Sequence, residues 1–238
     1  LPFSFRKEGA SPWRPGKREM AAILKVGFPL ALQDALVNIS FLIITAVINA
    51  MGLVASAAVG VVEKLLVSAS LPLTAFSSAV AAMTAQNIGA GRRDRAVRVL
   101  GCGIAWSLLF GGLFCLYAQF FPAALTRLFT NEGAVIAAAA DYLRSYSIDC
   151  VVVAVVFCMN AYFSGCGRAV ISLVHSLIAT FAVRIPLSFV LSRLPGGSLY
   201  PIGFAAPIAT AVSLVICLGY FFWESRKRRS AGSPAVSS

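Results

Sequence analysis

Charge is scarce in this chain. Only 12% of its 238 residues are Asp, Glu, Lys or Arg, and just nine are acidic; a soluble domain carries roughly 25% charge. A water-solvated globule is excluded on that ground, and disordered, collagen-like and coiled-coil chains fail on the same composition. Cysteine is equally thin. The six cysteines, Cys102, Cys115, Cys150, Cys158, Cys166 and Cys217, all lie in or at the ends of apolar runs and show no CxxC spacing. They read as small packing residues and not as a disulfide scaffold or a metal site. Histidine occurs once, as His175, and one imidazole without a neighbouring carboxylate pattern reads as a hydrogen-bonded core group. No GxSxG, HExxH, Walker or GxGxxG run stands in the context its chemistry needs. Covalent catalysis and cofactor binding have no visible residues, so the expectation is a protein that is not an enzyme and carries no cofactor.

What the chain has in abundance is apolar length. Residues 35–62, 65–91, 99–126 and 194–223 contain no charge at all, and each run exceeds the roughly 20 residues a helix needs to cross a bilayer core. An all-α polytopic membrane protein follows, with lipid around it. Six helices are expected, over 21–50, 54–88, 95–121, 134–163, 168–193 and 202–223, separated by clusters of Gly, Pro or charge. Residues 1–20 form an irregular polar segment, 21–223 the six-helix unit, and 224–238 a basic, disordered tail.

The twenty basic residues give a net charge of +11, a balance that in a soluble fold would suggest nucleic acid. Their placement argues for a membrane instead. Six spans put both termini and the loops near Arg92 and Arg168 on one side, where fourteen Lys and Arg fall, against Arg127 and Arg193 on the other. By the positive-inside rule both termini are expected in the cytoplasm of a cell whose plasma or inner membrane holds the chain. No nucleic-acid partner is expected.

Ionisable groups inside apolar runs cost roughly 2.5–3.5 kcal/mol each at the bilayer centre and need a reason. Asp34, Glu63, Lys64, Asp149, His175 and Arg184 are such groups. In the first span Asp34, Asn38, Thr45 and Asn49 fall within about 60° of arc, and in the fourth Ser145, Asp149, Asn160 and Ser164 cover about 100°. Each row embeds one carboxylate. Neutral members of such rows serve as interhelical hydrogen-bonding groups, whereas a carboxylate facing a water-filled cavity can take up a proton or a cation. Asp34, Asn38, Asp149, Asn160 and Arg184 are therefore the candidate ion- or substrate-binding residues. Glu63 and Lys64 diverge by about 100° on a helix and are expected to reach the interface by snorkelling. Arg184 has to pair with a carboxylate, Asp149 or Asp34, or reach the interface.

Pro72-Leu73-Thr74-Ala75-Phe76 leads to Ala85-Gln86-Asn87-Ile88-Gly89-Ala90-Gly91-Arg92-Arg93-Asp94-Arg95-Ala96, a run that resembles a cytoplasmic junction of the multidrug and toxic compound extrusion (MATE) transporters. Gly27-Phe28-Pro29-Leu30-Ala31-Leu32-Gln33, Phe163-Ser164-Gly165-Cys166-Gly167-Arg168 and Val183-Arg184-Ile185-Pro186-Leu187 agree in order and spacing. The likeness covers nearly all of residues 20–224. It implies the second six-helix lobe of a twelve-helix transporter, with residues 1–20 as the cytoplasmic linker and a missing N-terminal lobe as partner. It further implies antiport, in which sodium or proton entry drives export of an amphipathic, often cationic small molecule. Two departures stand out. Val37 occupies the place where members with a second-lobe cation site carry a Glu, and those members carry their fourth-span Asp about one turn later than Asp149. Competing readings are a flippase for lipid-linked oligosaccharides, which would show a strongly cationic cavity, a membrane-embedded transferase, which would cluster Asp, His or Cys near an interface, and a structural membrane partner.

Overall fold

The structure is a computed structural model that describes residues 16–193 and 199–231. The expected linker over 1–15, the Pro195-Gly196-Gly197-Ser198 break and the tail over 232–238 lie outside the described residues. Helix α1 spans Lys17–Asn49, α2 Leu53–Gly89, α3 Arg93–Phe120, α4 Pro122–Thr126, α5 Gly133–Tyr146, α6 Asp149–Gly165 and α7 Ala169–Leu177. A π-helical segment, Ile178–Arg184, joins α7 to α8 (Ile185–Ser192), and α9 (Tyr200–Gly203) precedes α10 (Ala205–Ala231). Five spans are long and apolar enough to cross a membrane: α1, α2, α3, α7 through α8, and α9 through α10. The sixth is α5 with α6, bent by 48° between them.

Three expectations need correction. The fourth span is not one rod over 134–163, because it breaks at Ser147-Ile148. Helix α1 begins four residues inside the segment expected to be irregular, since Lys17 to Met20 contain no Gly or Pro to stop it. Residues 224–231 continue α10 rather than starting a tail; Glu224, Lys227 and the arginines around them are good helix formers.

Two connections share one geometry. After α2, the Arg92 amide donates to the Asn87 carbonyl at 2.8 Å and the Gly91 amide to Ile88 at 3.0 Å; after α6, Arg168 donates to Phe163 at 2.8 Å and Gly167 to Ser164 at 2.9 Å. Each is a Schellman stop with its glycine left-handed, at φ 72° for Gly91 and 73° for Gly167, and each satisfies the last carbonyls of its helix. The arginine that follows Gly167 then closes one end of the bundle. The Arg168 guanidinium meets Glu224 of α10 at 2.7 Å, with Arg93 of α3 at 3.6 Å from the same carboxylate. The junctions before α3 and α7 and the end of α10 therefore lie together, as the charge count required.

Helix α2 packs along α3 and α6, and α1 lies against α7. Large apolar side chains such as Leu42, Leu53, Trp106 and Phe120 stay exposed. Lipid tails are as apolar as leucine, so close approach of small residues has to hold the helices together. A Cβ on Gly165 would lie 2.8 Å from the Ala81 carbonyl oxygen, and one on Gly111 would lie 2.7 Å from that of Cys150. The buried apolar residues form two clusters. One gathers Ile44, Ile48, Val59, Val62, Leu143 and Ala206; the other gathers Val80, Leu100, Met159, Phe163 and Cys217.

Candidate functional site

A cavity of about 530 Å3 lies among α1, α2, α6, α7, the π segment and α10. Its wall includes Asp34 and Asn38 of α1, Asp149 and Asn160 of α6, and Arg184 at the end of the π segment. All five candidate residues thus border one space. The rest of the two expected rows does not: Thr45, Asn49, Ser145 and Ser164 are absent from that wall. Asn49 accepts from Ser56 at the top of α2, 2.5 Å away. Ser145 belongs to α5 and donates to the Tyr142 carbonyl at 3.1 Å. A row extrapolated at 100° per residue fails across a 48° bend, which is why Ser145 and Asp149 part company.

The break that separates them also positions Asp149. It opens α6, where the positive end of the helix dipole favours a negative charge. The Asp149 side chain is buried, its Oδ1 has no hydrogen-bond partner, and the Thr210 hydroxyl stands beside its carboxyl. Asp34 is exposed, on an open side of the same cavity. Asn38 turns its amide onto the Asp34 carbonyl, 2.8 Å away within α1.

Two further ionisable residues stand at the cavity. Glu63 also borders the cavity, so it does not snorkel to an interface; it sits ten residues into a 37-residue helix, too deep for a short glutamate to reach out. Lys64, one position on, is exposed, as the divergence between adjacent residues requires. His175 borders the cavity as well and is 1% exposed. Its Nε2 lies 2.7 Å from Asn160 Oδ1 and its Nδ1 2.7 Å from Ser213 Oγ. An amide oxygen can only accept, so Nε2 carries a hydrogen and, in the neutral ring, Nδ1 accepts from the Ser213 hydroxyl. Through that ring α6, α7 and α10 are tied together in the cavity wall.

Arg184 pairs differently from both expectations. Among the described residues it forms no ion pair with a carboxylate. Its Nη2 donates to the Tyr146 hydroxyl at 2.9 Å, and its guanidinium carbon stands 4.1 Å from the Phe41 ring centroid. Its Nε is buried without a partner. The π segment that presents it has a local cause: Pro186 cannot donate to the carbonyl four residues back and its ring crowds that carbonyl, and the wider turn relieves the clash. Such segments are frequent at functional sites.

The MatE family model matches residues 29–190. A probable multidrug resistance protein, YoeA of Bacillus subtilis, is 26% identical over 228 residues, 95% of this chain and 49% of that protein. A second from the same organism, YpnP, is 28% identical over 192 residues, 81% of this chain and 42% of that one. A solved MATE structure in the bent conformation superposes with a TM-score of 0.82 at 17% identity, covering 92% of this chain and 49% of that one. The chain thus spans about half the length of the curated relatives it matches. With two thirds of its length inside the family model and six apolar spans in the family's fold, this chain belongs to the MatE family of multi-pass membrane transporters.

Proposed function

We propose that this chain forms the ion-binding half of an antiporter that exports amphipathic, often cationic small molecules in exchange for sodium or protons. The observation that carries the reading is Asp149: a buried carboxylate with an unpartnered oxygen, at a helix break, on a cavity it shares with Asp34 and Glu63. A carboxylate so placed is costly, and a cation or a proton relieves the cost. Broken helices that line a polar cavity away from both membrane faces are the usual way secondary transporters build such sites. The multidrug resistance names of the relatives support the substrate class. A second six-helix lobe, supplying the facing wall, is the partner, and the exporter works in the cell membrane with both termini of this chain in the cytoplasm. The cavity wall carries three acids and one arginine, a balance that speaks against a flippase for lipid-linked phosphates.

The test is dye export from vesicles holding the two-lobed transporter under an imposed sodium or proton gradient. Asp149→Asn is expected to reach the membrane at the unmodified level yet lower gradient-driven export at least tenfold, with a smaller loss for Asp34→Asn on the open side. If both variants export at the unmodified rate, the coupling site is not in this chain.

A further inference from the structure

Arg184 and Asp149 present a paired anomaly. Both border one cavity, they carry opposite charges, and each has a buried polar atom without a hydrogen-bond partner, Nε on the arginine and Oδ1 on the aspartate. Two such groups would ordinarily meet in a bridge. Here the guanidinium rests instead on the Phe41 ring and the Tyr146 hydroxyl. Arginine keeps its charge at every accessible pH, so it cannot be silenced by deprotonation and can only be moved or countered.

We propose that Arg184 is a built-in rival of the coupling cation: it alternates between the Phe41 and Tyr146 perch and the Asp149 carboxylate, and thereby sets how tightly the ion is held. This rests on the reading of the cavity as a cation site. With an ion on Asp149, the arginine stays on its perch. As the ion leaves, the guanidinium takes its place, and the carboxylate is never left bare in an apolar surround. Release of the ion is thus assisted by a charge the protein carries itself. The perch suits this role because a ring face and a phenol hydroxyl attract a cation without neutralising it. The π turn suits it too, since its backbone already departs from the α register at the residue that has to swing.

Other titratable groups face the same space: Asp34 from α1, Glu63 from α2, Tyr146 from α5, Cys150 beside Asp149 on α6, and His175 from α7. From α10 come the Thr210 and Ser213 hydroxyls. Glu63 is the other carboxylate Arg184 could visit, so the test includes Glu63→Gln.

The titration uses the two-lobed transporter in lipid nanodiscs, and the substitutions in this chain isolate its own site from any in the other lobe. Sodium binding is followed with radioactive sodium, and protonation of the carboxyl by its infrared carbonyl band, assigned through its loss in Asp149→Asn. Arg184→Gln is expected to raise affinity for the ion at least tenfold, since a nearby opposite charge shifts a carboxylate's proton affinity by roughly tenfold to a thousandfold. Arg184→Lys keeps the charge and is expected to stay within about threefold of the unmodified protein. Tyr146→Phe and Phe41→Leu weaken the perch without touching a charge, drive the guanidinium onto Asp149 and lower the affinity severalfold. If Glu63→Gln rather than Asp149→Asn removes the response to Arg184→Gln, the rivalry over Asp149 is overturned. Equal affinities in Arg184→Gln and the unmodified protein also overturn it, as does a loss of the same sign in Arg184→Gln and Tyr146→Phe, which marks a merely structural arginine. If neither sodium binding nor the carboxyl band changes in Asp149→Asn, the cation-site reading itself fails and takes the rivalry with it.

Discussion

Single atoms decide how closely these helices approach. At Gly165 an added methyl would collide with the Ala81 carbonyl and with Thr84 on α2, and backbone cannot retreat as a flexible side chain can. Gly165→Ala is expected to cost about 1–3 kcal/mol through overpacking, read as a lower thermal midpoint in detergent. Gly112, on the same helix as the tightly packed Gly111, has open space around its Cβ position. Gly112→Ala should gain about 0.5–1 kcal/mol from helix propensity, and two losses of equal size would show that the contact is not the cause. The sequence was informative at this scale wherever a residue type conflicted with its surroundings. Asp34, Asp149 and Arg184 are charges in apolar runs, so each was visible as a candidate without any fold. Glu63 was discounted because its place near the non-cytoplasmic end suggested snorkelling, whereas His175 was read as a hydrogen-bonded core group and is one, although no spacing announces that Asn160 and Ser213 hold it. The pairing of Arg184 with a ring and a phenol was out of reach, since no spacing joins Phe41, Tyr146 and Arg184.

At the scale of elements, the spans were legible and their interruptions were not. Apolar length marks a membrane helix, but a break at Ser147-Ile148 has no Gly or Pro to announce it, and the polar row drawn through it was wrong on one side. The π segment had a signal in Pro186, which predicts a disturbed turn without saying of which kind. Repetition was legible and passed over: Gly89-Ala90-Gly91-Arg92 and Gly165-Cys166-Gly167-Arg168 are one pattern, and both fold into the same helix stop. The left-handed glycines in these stops lie in open space, so any cost of replacing them is backbone strain alone. Gly91→Ala should lose about 1–2 kcal/mol, while Gly91→Asn, which tolerates that conformation better, should lose less. A thermal midpoint that falls in the order Gly, Asn, Ala checks this, and no loss for Ala would mean the loop can re-form without the stop.

For the molecule as a whole, orientation is the readiest test. With Arg93, Arg168 and Glu224 gathered at one end, a cysteine placed at Ala90 in a cysteine-free background should resist an impermeant maleimide applied to intact cells. One placed at Asn131, between α4 and α5, should react. Equal labelling at the two sites would defeat the expected topology. Export by the chain alone is a second test: one lobe offers one wall, so purified protein in vesicles should insert, self-associate and show no gradient-driven dye transport. Robust export without a second lobe would mean that two copies of this chain complete the cavity. A cation site on Asp149, as proposed, has an electrical consequence as well. Charge movement across a membrane is worth about 2.3 kcal/mol per elementary charge per 100 mV, and an ion reaching a site near mid-depth traverses roughly half of that drop. Occupancy of the proposed site should therefore change about sevenfold for every 100 mV, which would add the resting voltage of the cell to the ion gradient as a force that loads it.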